Sequence, residues 1–430
     1  MPEPSTAQQT PSPAAAPAPQ ASPPSQTPKA SAPPKSGLPL TLQILSCAVF
    51  TFIVYFSIGV PMAVIPGFVH NNLAFSSVIA GFAISIQYIG TFITRPSAGR
   101  VVDSIGARRT VQIGMVGCAA SGVLLLLAAL LARWPLYSLI AMMIGRMLLG
   151  AAESFGSTGA TLWGIGRVGQ SNNAKVISWN GVATYGALAV GAPLGVLLDG
   201  AMGLWSLSIL ITVVAVGGYF LAQRTPDAAV VVGERMSFFS VFTRVVPHGL
   251  GLALGSVGFG SLSTFITLYY ASQRWPHAEL TLSVFGIMFV SSRLLFSNTI
   301  RSYGGFRVAI VSFAVEAVGL LLVWLAWTPH VALIGAGLAG LGFSLIFPAL
   351  AVEAVALVPP ASRGAALSAY SVFLDVAFCI TGPIAGLIAT HLGYSEIYLV
   401  AGLGAIGGGA LCVSLYRRGG RGPARKAGGA

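Results

Sequence analysis

From about Leu40 to Tyr416 the chain is a succession of apolar stretches, most of them twenty residues or longer and nearly free of charge. An α-helix rises ~1.5 Å per residue, so ~20 such residues cross the ~30 Å hydrocarbon core of a bilayer. Twelve stretches can be placed, near 39–64, 75–97, 110–132, 136–160, 176–198 and 203–222, then 246–270, 281–299, 308–327, 331–357, 365–390 and 395–416. Proline inside them, as at Pro61, Pro66, Pro193, Pro348 and Pro383, is tolerated because neighbouring helices re-satisfy the backbone. The predicted fold class is an all-α membrane protein with twelve transmembrane helices.

Only 8% of the residues are charged, against about 25% in a soluble domain, so the chain lacks the polar surface that water requires. The net charge of +12 does not point to nucleic acid, because the basic residues lie in short loops and the tail and form no aromatic-interleaved face. Cys47, Cys118, Cys379 and Cys412 stand singly in apolar runs, without metal-ligand spacing, and read as buried free thiols. Residues 1–37 are rich in Pro, Ala, Ser and Gln, and are expected to be a disordered tail. Met1-Pro2-Glu3-Pro4 has neither the basic region nor the apolar core of a secretory signal.

Basic residues set the orientation. Arg100, Arg108, Arg109, Arg167, Lys175, Arg224, Arg235, Arg244, Arg301, Arg307 and Arg363 fall in alternate loops, and Arg417, Arg418, Arg421, Arg425 and Lys426 in the tail. The other side offers only Arg133 and Arg274, so both termini are expected in the cytoplasm. The halves also echo each other. Arg95, Gly106 and Arg109 recur as Arg293, Gly304 and Arg307 at an offset of 198, and Ser178 and Pro193 recur as Ser368 and Pro383 at 190. A twice-used six-span unit with a site between its halves is the internal symmetry of secondary transporters. The expected organisation is a 38–222 bundle, a 223–245 linker, a 246–416 bundle and a 417–430 basic tail.

Between spans two and three, Gly99-x-x-x-Asp103-x-x-Gly106-x-Arg108-Arg109 resembles the loop signature of the major facilitator superfamily (MFS). The resemblance covers roughly 40–416 and implies two pseudo-symmetric six-helix bundles, with these five residues in a gating loop. Gly99 and Gly106 are expected to let helix ends approach, and Arg108 and Arg109 to stay out of the bilayer. Arg95-Pro96-Ser97-Ala98-Gly99-Arg100, Thr161–Arg167 and Asn173–Gly181 resemble the YhhS-type, arabinose-efflux-like group of bacterial permeases, which implies a bacterial inner membrane. Gly186–Gly195 in span five partly resembles the exporter signature, with Ala192 in place of a glycine, and Gly382-Pro383-Ile384-Ala385-Gly386 repeats the idea in span eleven.

Ionisable groups inside spans cost roughly 2.5–3.5 kcal/mol each if they face lipid, so they mark either function or internal pairing. Arg146, in Arg146-x-x-x-Gly150, resembles the span-four pattern of proton-coupled exporters, which implies tuning of a carboxylate or capture of an anionic group; backbone bonding is the structural alternative. Glu153 and Glu353 are expected near the cytoplasmic end as latch carboxylates for arginines such as Arg95, Arg108 or Arg293, with proton carriage as the alternative. Asp375 has no cation within a helical turn. It either takes up a proton during transport or bonds to arginines of loop 2–3. Glu316 is expected to bond a Ser or Tyr of a neighbouring helix. Tyr55, Gln87, Asn180, Tyr185 and Tyr370 are candidates to line a mixed polar and apolar cavity, although any one could be a packing residue.

No Walker A loop, HExxH, GxSxG or paired catalytic carboxylates occur, so an enzyme is not expected, nor a metal or a cofactor. The expected function is secondary active transport of a small molecule by alternating access. Proton-coupled export of an amphipathic compound or sugar is weighed against uptake of a metabolite and against a non-transporting sensor. The expected partners are the substrate, the proton and the lipid bilayer, with the protein acting as a monomer.

Overall fold

The computed structural model describes residues 39–169, 172–228, 238–296, 298–358 and 363–419. The expected disordered tail (1–37), much of the linker and most of the basic tail lie outside them. Twelve long helices carry the described chain: α1 (Leu40–Met62), α2 (Ser77–Ile105), α3 (Ala107–Leu130), α4 (Pro135–Val168), α5 (Asn173–Met202) and α6 (Leu204–Arg224), then α7 (Phe238–Ser272), α8 (Glu279–Leu295), α9 (Gly305–Trp324), α10 (Pro329–Ala356), α11 (Arg363–His391) and α12 (Glu396–Gly419). Pro61 ends α1, and the chain passes through a turn and a π-helical segment, Phe68–Asn72, before Ser76 caps α2 by accepting from the Ile79 amide.

Among the described residues, eleven helices are long and apolar enough to cross a membrane. The expected eighth span is the exception. Its helix stops at Leu295 after 17 residues, where polar Asn298 and Thr299 replace the apolar run, and a short helix, Thr299–Tyr303, completes the passage. Apolar side chains such as Leu130, Val213, Ile287, Val311 and Leu392 stand exposed on the outside, as lipid contact requires. Trp134, Trp205 and Trp327 sit exposed near helix ends, where indoles favour a membrane interface.

Two elements run past their expected ends. α2 continues through the signature to Ile105, because Ala98 and Val102, four apart, are both buried. The expected loop thereby shrinks to Gly106, whose φ of 87° and ψ of 160° suit only glycine. Gly304, 198 residues later, turns α9 in the same way with φ 86° and ψ 157°. α7 begins at Phe238, inside the expected linker, because Val241 and Val245 bury one more turn.

The packing repeats. α1 packs on α4, α5 and α6, while α4 also takes α2 and α3, and α3 reaches α6. In the second bundle α7 packs on α10, α11 and α12, α10 also takes α8 and α9, and α9 reaches α12. The bundles join along two equivalent seams, α2 against α11 and α5 against α8. The end carrying the Gly106 and Gly304 turns is termed the basic face here, and the other end the opposite face.

Candidate functional site

The seams close tightly toward the opposite face. A Cβ on Gly81 would collide with the Gly382 carbonyl, and one on Gly386 would lie 2.7 Å from the Ser77 oxygen. Ser85 Oγ donates to the Phe378 carbonyl at 2.9 Å, and the Ser77 and Tyr394 hydroxyls meet at 3.2 Å. On the second seam Ser283 Oγ donates to the Ala189 carbonyl at 3.0 Å, and a Cβ on Gly286 would strike Ala189.

A layer of rings joins the seams. Tyr88 of α2 meets Phe378 of α11 at 4.9 Å between centroids, Phe378 meets Phe259 of α7 at 5.6 Å, and Phe259 meets Tyr185 of α5 at 5.5 Å. Tyr185 then stacks on Phe289 of α8 at 3.6 Å, with Phe343 of α10 edge-on at 6.0 Å. Of these rings, Tyr185 is among the cavity candidates that the sequence offers. Phenylalanines occur in nine of the twelve long helices, and nothing in their spacing tells which ones converge.

Beside this layer lie the charges. Arg95 of α2 grips Asp375 of α11 with a fork of two contacts, Nη2 to Oδ1 at 2.8 Å and Nε to Oδ2 at 2.5 Å. Asp375 is 0% exposed. Among the described residues this is the one ion pair that crosses between the bundles. The partner of Arg95 is therefore Asp375 and not a latch carboxylate. The four-residue helical ladder explains the reach: Gln87, Thr91 and Arg95 share one face of α2.

Glu153 sits near the middle of α4 rather than at a cytoplasmic end, and is 2% exposed. Tyr55 donates to its Oε1 at 3.0 Å, while Gln87 at 3.0 Å and Thr91 at 3.2 Å donate to Oε2. It bonds inside its own bundle, so the expected latch to a loop arginine is absent among the described residues, and Tyr55 and Gln87 serve it rather than an open cavity. Arg146, 3% exposed, shares that interior with Glu153 and Tyr88 as its titratable neighbours, and its three guanidinium nitrogens find no hydrogen-bond acceptor. The structural alternative for Arg146, bonds to backbone carbonyls, is thus not formed. Gly150 allows α4 to approach α2, since a Cβ there would overlap the Gln87 carbonyl.

The remaining candidates disperse. Arg293 donates to the Ser344 carbonyl at 3.0 Å, lies over the Phe289 ring and presses on Gly181 of α5. Glu353 accepts from the Phe306 amide at 3.3 Å, at the N-terminus of α9, and so is no partner of Arg293. Asn180 is held by Thr51 at 2.8 Å and Thr161 at 3.1 Å inside the first bundle, and Tyr370 donates to the Phe347 carbonyl at 3.2 Å inside the second. The polar groups of both are thus engaged within their own bundles. Arg108 donates to the Thr225 carbonyl at 2.9 Å beside Asp227, which ties the signature to the end of α6, and Arg109 is exposed. Gly99 makes no close approach, because a Cβ there would meet nothing within 4 Å. The Asp103 side chain lies outside the described residues. Glu316 is fully buried with neither oxygen bonded, so the expected Ser or Tyr partner is missing.

The seams are equivalent in position but not in chemistry. At the 198-residue offset Arg95 corresponds to Arg293, and at the 190-residue offset Asp375 corresponds to Tyr185. One seam is bridged by a carboxylate that can be protonated, and the other by a phenol ring. Among the described residues no cluster of His, Cys, Asp and Glu could hold a metal ion.

The family model described as Major Facilitator Superfamily matches residues 47–315 and 278–430. An uncharacterized MFS-type transporter of Burkholderia pseudomallei (strain 1106a) is 60% identical over 378 residues, 88% of this chain and 93% of that protein. One of Pseudomonas aeruginosa (strain LESB58) is 52% identical over 378 residues, 88% of this chain and 94% of that protein. Among solved structures, the human organic anion transporter MFSD10 (TETRAN) superposes with a TM-score of 0.65 at 12% identity, covering 87% of this chain and all of that one. That likeness is one of fold.

Proposed function

The chain belongs to the major facilitator superfamily of membrane transporters, and on that premise we propose that it is a secondary transporter, coupled to protons through Asp375. The two bundles swivel about the seams and expose a central pathway to one face at a time. The basic face lies in the cytoplasm, following the bias of arginine and lysine to that side. The protein sits in a bacterial inner membrane and exports an amphipathic compound or a sugar. The ring layer of Tyr88, Tyr185, Phe259, Phe289 and Phe343 supports a ligand with an apolar face.

The observation that carries this reading is the Arg95–Asp375 bridge, whose carboxylate is fully buried and whose arginine is partly buried. A proton on Asp375 removes one charge of the pair and leaves the other in the protein interior. Losing one partner of a buried pair costs about 3–5 kcal/mol. Moving a two-state equilibrium from 1:99 to 99:1 takes about 5.5 kcal/mol, so one protonation supplies most of what a reorientation needs.

The test is transport in proteoliposomes, with a substrate panel screened under an imposed pH gradient. Asp375→Asn is expected to abolish gradient-driven flux while keeping exchange of pre-loaded substrate. Full driven flux in that variant would remove Asp375 from the mechanism. Substrate moving with protons rather than against them would make the protein an uptake permease.

A further inference from the structure

We propose that Arg95 changes carboxylates during the cycle, bridging to Asp375 while the bundles are joined and passing to Glu153 when Asp375 is neutralised. The inference rests on the reading of Asp375 as the proton acceptor, and it gives Glu153 a role that reading leaves open.

The geometry points there from three sides. Thr91, which donates to Glu153 Oε2 at 3.2 Å, stands one turn before Arg95 on the same face of α2. One helical turn is about 5.4 Å, within the reach of an arginine side chain pivoting on its own backbone. Arg95 therefore exchanges partners by rotating its side chain and needs no movement of α2. Second, Glu153 has capacity to spare. A carboxylate accepts about four hydrogen bonds, and Tyr55, Gln87 and Thr91 supply three, all from neutral groups. Third, the two carboxylates belong to different bundles, Glu153 to α4 and Asp375 to α11. When Arg95 leaves Asp375 for Glu153, the guanidinium returns wholly to the first bundle and the charge link across the seam is gone. The step balances without a co-reactant: a proton from water ends on an Asp375 oxygen, no covalent bond of the chain changes, and the arginine stays charged.

The titratable groups that face this exchange are few. Asp375 is faced by Arg95 and Tyr88 from α2, Glu153 from α4 and Tyr55 from α1. Among the described residues α7, α10 and α12, which also pack on α11, add none. Arg146 shares α4 with Glu153 at a distance of two turns and faces it as well, as do Cys118 from α3 and Tyr185 from α5. Arg146 forms no hydrogen bond to the carboxylate, so it does not occupy the fourth position.

The test reads bundle separation and not transport alone. Spin labels at Ser104→Cys and Leu357→Cys, both exposed at the basic face, the end nearer the Arg95–Asp375 pair, report the seam distance in reconstituted protein whose native cysteines have been replaced. Acidification is expected to widen the distance in the otherwise unaltered protein. Glu153→Gln keeps the Arg95–Asp375 pair, so it should stay joined at neutral pH and lose the acid-induced widening, with the separated fraction down roughly tenfold relative to the joined one. Asp375→Asn should separate at neutral pH, adding Glu153→Gln should reverse this, and Arg95→Gln should separate whether or not Glu153 is altered. If Glu153→Gln widens on acidification as the unaltered protein does, or shifts Arg95→Gln as much as Asp375→Asn, the handover is wrong. If the unaltered protein itself does not respond to acid, the proton reading of Asp375 fails first.

Discussion

The tightest point of the first seam is a methyl group away from disruption. A Cβ on Gly81 would lie 2.7 Å from the Gly382 carbonyl carbon and 3.0 Å from Phe265 Cζ, and would overlap the Gly382 oxygen. Carbon atoms rest about 3.5–4.0 Å apart, so Gly81→Ala pushes α2 and α11 apart by roughly 1 Å there. The neighbouring Ser85–Phe378 bond, 2.9 Å long, lengthens toward the limit of a hydrogen bond. Overpacking of this kind costs about 1–3 kcal/mol, and a lost hydrogen bond about 1 kcal/mol more. Both penalties fall on the joined conformation alone. Each 1.4 kcal/mol is tenfold in population, so the joined-to-separated ratio should drop by about 10- to 1,000-fold. Distances between spin labels at Asn72→Cys and Leu392→Cys measure it directly, with Gly99→Ala as the control whose added methyl meets nothing within 4 Å. An unchanged distance distribution in Gly81→Ala, or an equal change in Gly99→Ala, would refute the idea that the Gly81–Gly382 crossing limits opening.

Gly106→Ala and Gly304→Ala should each lower thermal stability by about 1–3 kcal/mol, because the backbone at φ 87° and 86° excludes a side chain while the space around it is empty. A melting curve in detergent checks this, and an unchanged midpoint would mean that the turns can be remade without glycine. Glu316→Met should hold or raise the melting temperature, since it removes two buried oxygens that have no hydrogen-bond partner and keeps the volume beside Gly255 and Gly258. A fall in melting temperature would mean that the carboxyl has a partner in the membrane.

The spans were legible because lipid leaves little choice: a run of about twenty apolar residues has to be a helix, and the offsets of 198 and 190 give away the repeat. What could not be read was which faces meet. Asp375 showed no cation nearby on its own helix, and its partner Arg95 comes from 280 residues away. An apolar run that ends at 160 puts Glu153 near a helix end, whereas α4 continues to Val168 and leaves the residue near its middle. The latch pairs failed for a physical reason. A carboxylate in a bundle core takes the nearest donors, which for Glu153 are neutral groups on α1 and α2, and for Glu353 a helix-terminal amide. Gly99 and Asp103, read as loop residues, belong to α2 because the buried stripe through Ala98 and Val102 carries the helix past them.

The distribution of polar contacts decides where control of the seam must lie. Glu153, Asn180, Arg293, Glu353 and Tyr370 all bond within their own bundle, so rocking leaves those bonds intact. Among the described residues, three neutral contacts stand across the seams, Ser77 with Tyr394, Ser85 with Phe378 and Ser283 with Ala189, together with one ion pair. Side-chain hydrogen bonds between membrane helices average about 0.6 kcal/mol, so three of them contribute about 2 kcal/mol together. Breaking a buried pair by neutralising one partner costs about 3–5 kcal/mol. The charge state of a single carboxylate thus outweighs every neutral polar contact across both seams. Among the described residues the second seam has no ion pair between the bundles: Tyr185 stands where the first has Asp375 and stacks on Phe289, with the Arg293 guanidinium over that same ring. On the proposed coupling through Asp375, a proton would act at the seam of α2 and α11, and the ring-lined seam of α5 and α8 would serve as the hinge.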